Sequence, residues 1–178
     1  MCSTVGSHVA HPPKVKRKTP IIWGHPGIGK TFTLENSEYG DRIIDWDTQF
    51  NARRDAWISQ RTGIPINSKE FKAARNEYTI RWEKHEDYQN FVEREWERIK
   101  HLANSENKIL VASPHMLLAK YASDFDSILT MSVEDFVKRG KARGDKDPEQ
   151  WKEGIDITIN NVISNPLIAK KIKTIDSG

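Results

Sequence analysis

Gly24-His25-Pro26-Gly27-Ile28-Gly29-Lys30-Thr31 follows directly on the apolar run Ile21-Ile22-Trp23, with the spacing of a GxxxxGK[ST] loop set between a strand and a helix. Glycines at positions 24, 27 and 29 let the backbone turn tightly enough to aim several N–H groups at one phosphate chain. Lys30 offers a point charge to the β- and γ-phosphates, and Thr31 offers a hydroxyl to Mg²⁺. A helix starting at Lys30 would turn its positive end toward the anion. The whole run, including His25, Pro26 and Ile28, is therefore expected to hold a nucleoside triphosphate. A glycine-rich turn without a ligand is the plain alternative.

Downstream, the stretch Arg42 to Trp46 reads as a second strand whose end carries Ile43-Ile44-Asp45-Trp46-Asp47. In a parallel α/β sheet the carboxyl ends of the strands open on one ligand crevice, so both aspartates would face the phosphate region. Alternation along a strand puts residues 45 and 47 on one side. Asp45 is then assigned to the metal and Asp47 to the attacking acceptor, whose proton it would take. A strand-end aspartate that caps the next turn is the competing reading for one of them. Arg53 and Arg54 come just after and suit an acceptor phosphate by bidentate pairing; surface arginines are the alternative.

Farther on, Val137-Lys138-Arg139-Gly140-Lys141-Ala142-Arg143-Gly144-Asp145 sets Arg139 and Arg143 four apart with glycines beside them. On one helical turn both guanidinium groups share a face, and the glycines would let the segment swing over the phosphates as a lid. A solvated basic loop is the rival. Absent motifs also inform. The third apolar run, Ile109-Leu110-Val111-Ala112, leads into Ser113-Pro114-His115 with no carboxylate, so the Asp-Glu pair of an AAA-type ATPase is missing. The chain contains no Asn-Lys-x-Asp, the guanine-reading sequence of G proteins.

Apolar runs alternate with helical stretches from Pro20 onward: Ile21 to Trp23, Arg42 to Trp46, Lys108 to Ser113, Phe125 to Met131 and Lys171 to Ile175. That order predicts an α/β domain with a helix-covered parallel sheet. The clearest helix runs from about His85 to Ala103, with Tyr88, Phe91, Val92, Trp96, Ile99, Leu102 and Ala103 on its apolar face. Glu93, Arg94, Glu95, Glu97 and Arg98 are expected on its solvated face. Trp57 and Trp82 are expected either to pack or to stack on a substrate ring. The chain stops at Ile175-Asp176-Ser177-Gly178 straight after a strand-like run, which predicts an uncovered edge strand or a truncated end.

The chain has 178 residues, enough for one α/β domain, and its longest apolar runs are four residues, so no membrane span or signal-peptide core is expected. A single cysteine, Cys2, excludes an internal disulfide and a cysteine-based metal cluster, in keeping with a reducing, cytoplasmic setting. The formal charge of +3 is uneven. Lys14, Lys16, Arg17 and Lys18 supply four positive charges, leaving 24 basic against 25 acidic residues elsewhere. The bulk of the chain thus lacks the footprint of a sequence-independent nucleic-acid binder. Residues 1–19 are expected to be a disordered basic tail, solvated in the default reading and a nuclear import signal or polyanion-binding arm in the other.

Taken together these segments resemble the small P-loop kinases, a group of nucleoside monophosphate, shikimate and gluconate kinases and the kinase domain of polynucleotide kinases. Ile-Ile-Asp-Trp-Asp-Thr-Gln-Phe, Leu-Val-Ala-Ser-Pro-His and Lys-Ile-Lys-Thr-Ile-Asp-Ser-Gly make phage-type deoxynucleoside monophosphate kinase-like proteins the nearest likeness. The resemblance covers residues 20–178, with the phosphate loop its most specific part. It implies a P-loop NTPase three-layer sandwich: a five-stranded parallel sheet of order 2-3-1-4-5 with helices on both faces. It also implies an acceptor-binding helical insertion over residues 48–107 and a lid over 134–150. Lys30 and Thr31 match the phosphate and Mg²⁺ ligands, Asp45 and Asp47 the Asp-x-Asp of shikimate-type kinases, and Arg139 and Arg143 the lid arginines. Ser113 stands where relatives place an acidic or small polar residue. The implied activity is ATP- and Mg²⁺-dependent phosphoryl transfer to a nucleotide. The alternatives are transfer to the 5′-hydroxyl of a polynucleotide, or a module that binds ATP without transfer.

Overall fold

The computed structural model describes residues 18–26 and 38–175. Gly27, Ile28, Gly29, Lys30 and Thr31 of the GxxxxGK[ST] run, and the residues before Lys18, lie outside them.

Five parallel strands form one sheet in the order β2-β3-β1-β4-β5. They are β1 (Ile21–Gly24), β2 (Ile43–Asp45), β3 (Ile109–Ala112), β4 (Ser127–Met131) and β5 (Ile172–Ile175). The order is the one the resemblance implies, and each strand falls within a residue or two of its expected place. At β2 the one-residue difference matters, because the strand stops at Asp45 and Trp46 already belongs to a helix.

The register explains why these short runs are strands. Ile44 pairs with Leu110, Leu110 with Ile21, Trp23 with Ala112 and with Ile128. Laterally paired residues of a sheet point to one face, so Ile44, Leu110, Ala112, Trp23 and Ile128 make one continuous buried surface. Each large side chain so buried contributes roughly 1.5–3 kcal/mol. At the β4–β5 edge the hydroxyls of Thr130 and Thr174 lie 3.2 Å apart, a cross-strand polar pair.

Between β2 and β3 come α1 (Trp46–Thr62), α2 (Phe71–Ile80) and α3 (Glu86–Glu106), filling the stretch expected as a helical insertion. α1 ends at Gly63, whose φ of 74° needs a residue without Cβ. α3 buries Tyr88, Phe91, Val92, Trp96, Ile99 and Ala103 at helical spacing and packs on β3. After β3 follow α4 (His115–Tyr121), then β4, α5 (Val133–Arg143), α6 (Pro148–Ile163) and α7 (Pro166–Ala169). Among the described residues no helix is long and apolar enough to cross a membrane.

Several expectations need correction. Glu95 is not on the solvated face of α3: it is 4% exposed and accepts hydrogen bonds from Arg53 at 2.8 to 3.0 Å and from Arg98 at 2.8 Å. Burial pushes its pKa up, but the bonds and charges of the two arginines outweigh this and hold the carboxyl below its ordinary value. Trp57 is packed, stacked on Phe91 with ring centroids 5.1 Å apart and edge-on to Tyr78. Thr19 belongs to the stretch expected as a tail. Thr19 is buried, and its N–H and hydroxyl both donate to the Asn104 side-chain carbonyl at 2.9 Å.

The stretch expected as a lid is helical, with α5 running through Arg143, and the structure gives its two glycines distinct surroundings. Gly140 lies buried inside α5, where an added Cβ would sit 2.8 Å from Cβ of Pro148. It is a close-packing point between α5 and α6, not a hinge. Gly144, at φ +78°, ends α5 in a left-handed cap.

Candidate functional site

β1 delivers Gly24, His25 and Pro26 to the carboxyl edge of the sheet, where the His25 N–H donates to the Leu129 carbonyl at 2.9 Å and ties the start of the loop to β4. The His25 ring is fully buried, edge-on to Phe136 at 4.9 Å, and its Nδ1 lies 2.9 Å from the Pro26 carbonyl. Its Nε2 has no hydrogen-bonding partner among the described residues. Burial lowers the imidazole pKa, the Pro26 carbonyl opposes that, and nearby Lys152 adds to the lowering while Asp156 offsets it. His25 is thus a packed, neutral histidine at the root of the loop.

Beyond the ends of β1, β2 and β3 opens a cleft of about 720 Å³, within the size range of small-ligand pockets. Trp46 and Phe50, stacked at 4.5 Å, give it an apolar back together with Tyr88 and Val92. Its polar groups come from four places, α2 contributing Thr79. α1 contributes Asp47, Asn51 and Arg54; the turn after β3 contributes Ser113 and His115; the α5–α6 junction contributes Arg143 and Asp145. Pro26 joins the wall, so the cleft begins where the described part of the phosphate loop ends.

The expected aspartate pair reaches this edge by a different route. Asp45 is the N-cap of α1 and accepts a hydrogen bond from the Thr48 hydroxyl at 3.1 Å, while Asp47 sits in the first helical turn. Strand alternation therefore does not relate them, because Asp47 is not on a strand. Asp47 lines the cleft; Asp45 is not among the lining residues. An acidic residue in the first turn also suits the helix dipole.

The arginine pair splits as well. Arg54 lines the cleft, its Nε donating to Asp55 at 2.9 Å and its Nη1 to Asn51 at 3.1 Å. Arg53 turns the opposite way to Glu95, which raises its pKa through their hydrogen bonds, and is not part of the lining. On α5 the same division recurs: Arg143 lines the cleft and Arg139 does not. Arg143 is paired with Asp145 at 2.6 Å.

Asn51, His115, Asp145 and Trp151 line the cleft without having been singled out from the sequence. For Asn51 a signal existed, since 47, 51 and 54 follow the i, i+4, i+7 spacing of one helix face. His115 is an exposed residue whose imidazole pKa is lowered by desolvation. The floor is fixed by Trp23, whose indole N–H donates to the Pro114 carbonyl at 3.1 Å.

As a test of fit, the cleft brings two guanidinium groups, Arg54 and Arg143, and the Ser113 hydroxyl together with two aspartates, Asp47 and Asp145, and guanidinium groups are the donors that suit a phosphate-bearing ligand. Among the described residues no group of three or more His, Cys, Asp or Glu side chains is placed to hold a metal ion. A Mg²⁺ ligand set would draw on Asp45 and on Thr31, the latter outside the described residues. Comparison of the chain with family models, with curated proteins and with solved structures returned no match.

Proposed function

We propose that the chain is an ATP- and Mg²⁺-dependent phosphotransferase that moves the γ-phosphoryl group to a nucleotide. One observation carries this reading: Asp47, Arg54 and Arg143 converge on a single cleft that begins at Pro26, inside the GxxxxGK[ST] motif. The strand order supports it, being the order that the resemblance to small P-loop kinases implies.

In this reading Asp47 orients the attacking oxygen of the acceptor and, where that oxygen is a hydroxyl, takes up its proton. Arg54 pairs with the acceptor's own phosphate. Arg143 neutralises charge on the group in transfer. Lys30, Thr31 and Asp45 would hold Mg·ATP, which would supply the phosphoryl group and a divalent charge beside it. The new phosphorus–oxygen bond forms to the acceptor as the bond to the bridging oxygen of ADP breaks, so the catalytic task is alignment and charge stabilisation.

A second reading, ATP binding without transfer, draws on the absence of a carboxylate at Ser113, just after β3 ends, and on the pairing of Arg143 with Asp145. The two separate in one experiment. The protein is incubated with Mg²⁺ and γ-labelled ATP and a panel of nucleosides, nucleotides and oligonucleotides, and label transfer is followed by chromatography. Label on a nucleotide is the expected result; ATP binding with no labelled product from any acceptor would overturn it in favour of the second reading.

A further inference from the structure

The first cleft shares part of its lining with a second. Ile80, His115 and Trp151 line it and also line a second cleft of about 660 Å³ on their other side. Trp151, at 41% exposure, is an indole standing between the two. Its packing against Phe136, edge-on at 5.2 Å, holds it there.

The second cleft has its own chemistry. Among the described residues no lysine or arginine lines it; its polar side chains are Glu83, Gln150, Thr158 and Asn161, with the His115 imidazole shared with the first cleft. Trp82 forms part of the wall, with the Lys120 ammonium 5.9 Å from its ring centroid. Gly154 leaves bare backbone on α6, with no atom within 4 Å of where a Cβ would stand. Indole surface for stacking, amides and a hydroxyl for hydrogen bonds, and one carboxylate suit an uncharged ring system that carries donors and acceptors. A polyanionic segment would meet Glu83 and a lining without lysine or arginine, the Lys120 ammonium on Trp82 already donating to Gln89 at 3.0 Å, and a lipid chain would leave the amides unsatisfied. The guanidinium groups that pair with phosphate, Arg54 and Arg143, belong to the first cleft.

We propose that the second cleft binds an uncharged nucleoside unit, a flat base with its sugar, carried by the same acceptor whose reacting end occupies the first cleft. The acceptor then has at least two nucleoside units. This rests on the phosphotransferase reading for which end reacts, while the second cleft itself is testable by binding alone.

The test is calorimetric titration of the full chain with a nucleoside 5′-monophosphate and with the matching 5′-phosphorylated dinucleotide, in adenine and thymine forms. In at least one base form the dinucleotide should bind about ten-fold more tightly, the worth of one stacked base. Gly154→Leu fills the open space on the exposed side of α6, and Asn161→Leu removes an amide from the same wall. Each should erase the dinucleotide's advantage and leave monophosphate binding unchanged, with melting curves confirming that both fold. Equal affinity of the two ligands in the wild type would overturn the proposal, as would an advantage that survives both variants or one that free ribose competes away. Loss of label transfer with the dinucleotide advantage intact would sink the phosphotransferase reading alone, and transfer without the advantage would sink this one alone.

Discussion

Arg143 donates from Nε at 3.1 Å and from Nη2 at 2.6 Å to the same carboxylate oxygen of Asp145, and both residues stand on the rim of the first cleft. The pair holds a guanidinium in place beside the site while leaving it exposed to an incoming phosphate. Arg143→Ala should therefore lower kcat by roughly 10²–10³, the worth of one donor to developing charge. Unfolding free energy should shift by no more than about 0.5 kcal/mol, as for other surface substitutions. Steady-state kinetics and denaturant titration check both. Full activity in this variant would remove Arg143 from the reaction.

Asp47→Asn should retain ATP binding and lose transfer by roughly 10²–10⁴. The neighbouring arginines supply an internal contrast. Arg54→Ala should raise the acceptor KM, whereas Arg53→Ala should leave it unchanged and lower stability instead, since Arg53 serves Glu95. An acceptor KM that rises equally in both would contradict the division of the pair.

Glu95→Gln should destabilise by about 1–3 kcal/mol, because a buried acceptor of charged hydrogen bonds is weakened. The carboxyl of Glu95 is held below its ordinary value of 4.5, so its contribution is fully present above that value and is lost as pH falls through the lower folded one. Denaturant titrations of wild type and variant should therefore converge as the solution is taken below the ordinary glutamate range. A constant gap between them at all pH values would show that the bonds, and not the charge, matter.

Two glycines should respond in opposite directions to the same change. Gly140→Ala places a methyl group 2.8 Å from Cβ of Pro148 and should cost about 1–3 kcal/mol through overpacking. Gly154→Ala meets open space on a helix and should stabilise by about 0.5–1 kcal/mol. Thermal melts of the two variants read the sign directly.

His25 makes stability depend on pH near neutrality. Its folded pKa lies below the ordinary 6.5, so the neutral ring is favoured in the fold, and the unfolded chain takes up a proton first on acidification. Stability is then complete above pH 6.5 and declines below it. His115 shifts in the same direction, so His25→Phe should remove part of the decline and not all of it. Melting temperatures measured between neutral and mildly acidic pH decide this; an unchanged slope in His25→Phe would place the dependence elsewhere.

The strands were legible because each is a short apolar run bounded by turn-forming or charged residues, and the phosphate-loop motif oriented them. Side-chain direction was less so. Asp45 and Asp47 look like strand alternation in a linear reading, but the chain begins α1 at Trp46, and nothing local distinguishes the last strand residue from the first helical one. Glu95 was readable in hindsight. It lies seven residues after Tyr88 and four after Phe91, on the buried stripe of α3, and its charge masked the position that its spacing assigns. Gly140 could not be separated from a hinge without Pro148, a partner supplied by the next helix.

Trp23 lies one residue before the motif begins, and its indole reaches across the sheet to the carbonyl that precedes His115. Water has no access to replace that bond, since the ring is wholly enclosed. The turn carrying Ser113 and His115 is consequently anchored to the same strand that launches the glycine-rich segment. The two halves of the pocket wall share a single strut, so a distortion that shears one of them must break a sheltered bond before the other is released.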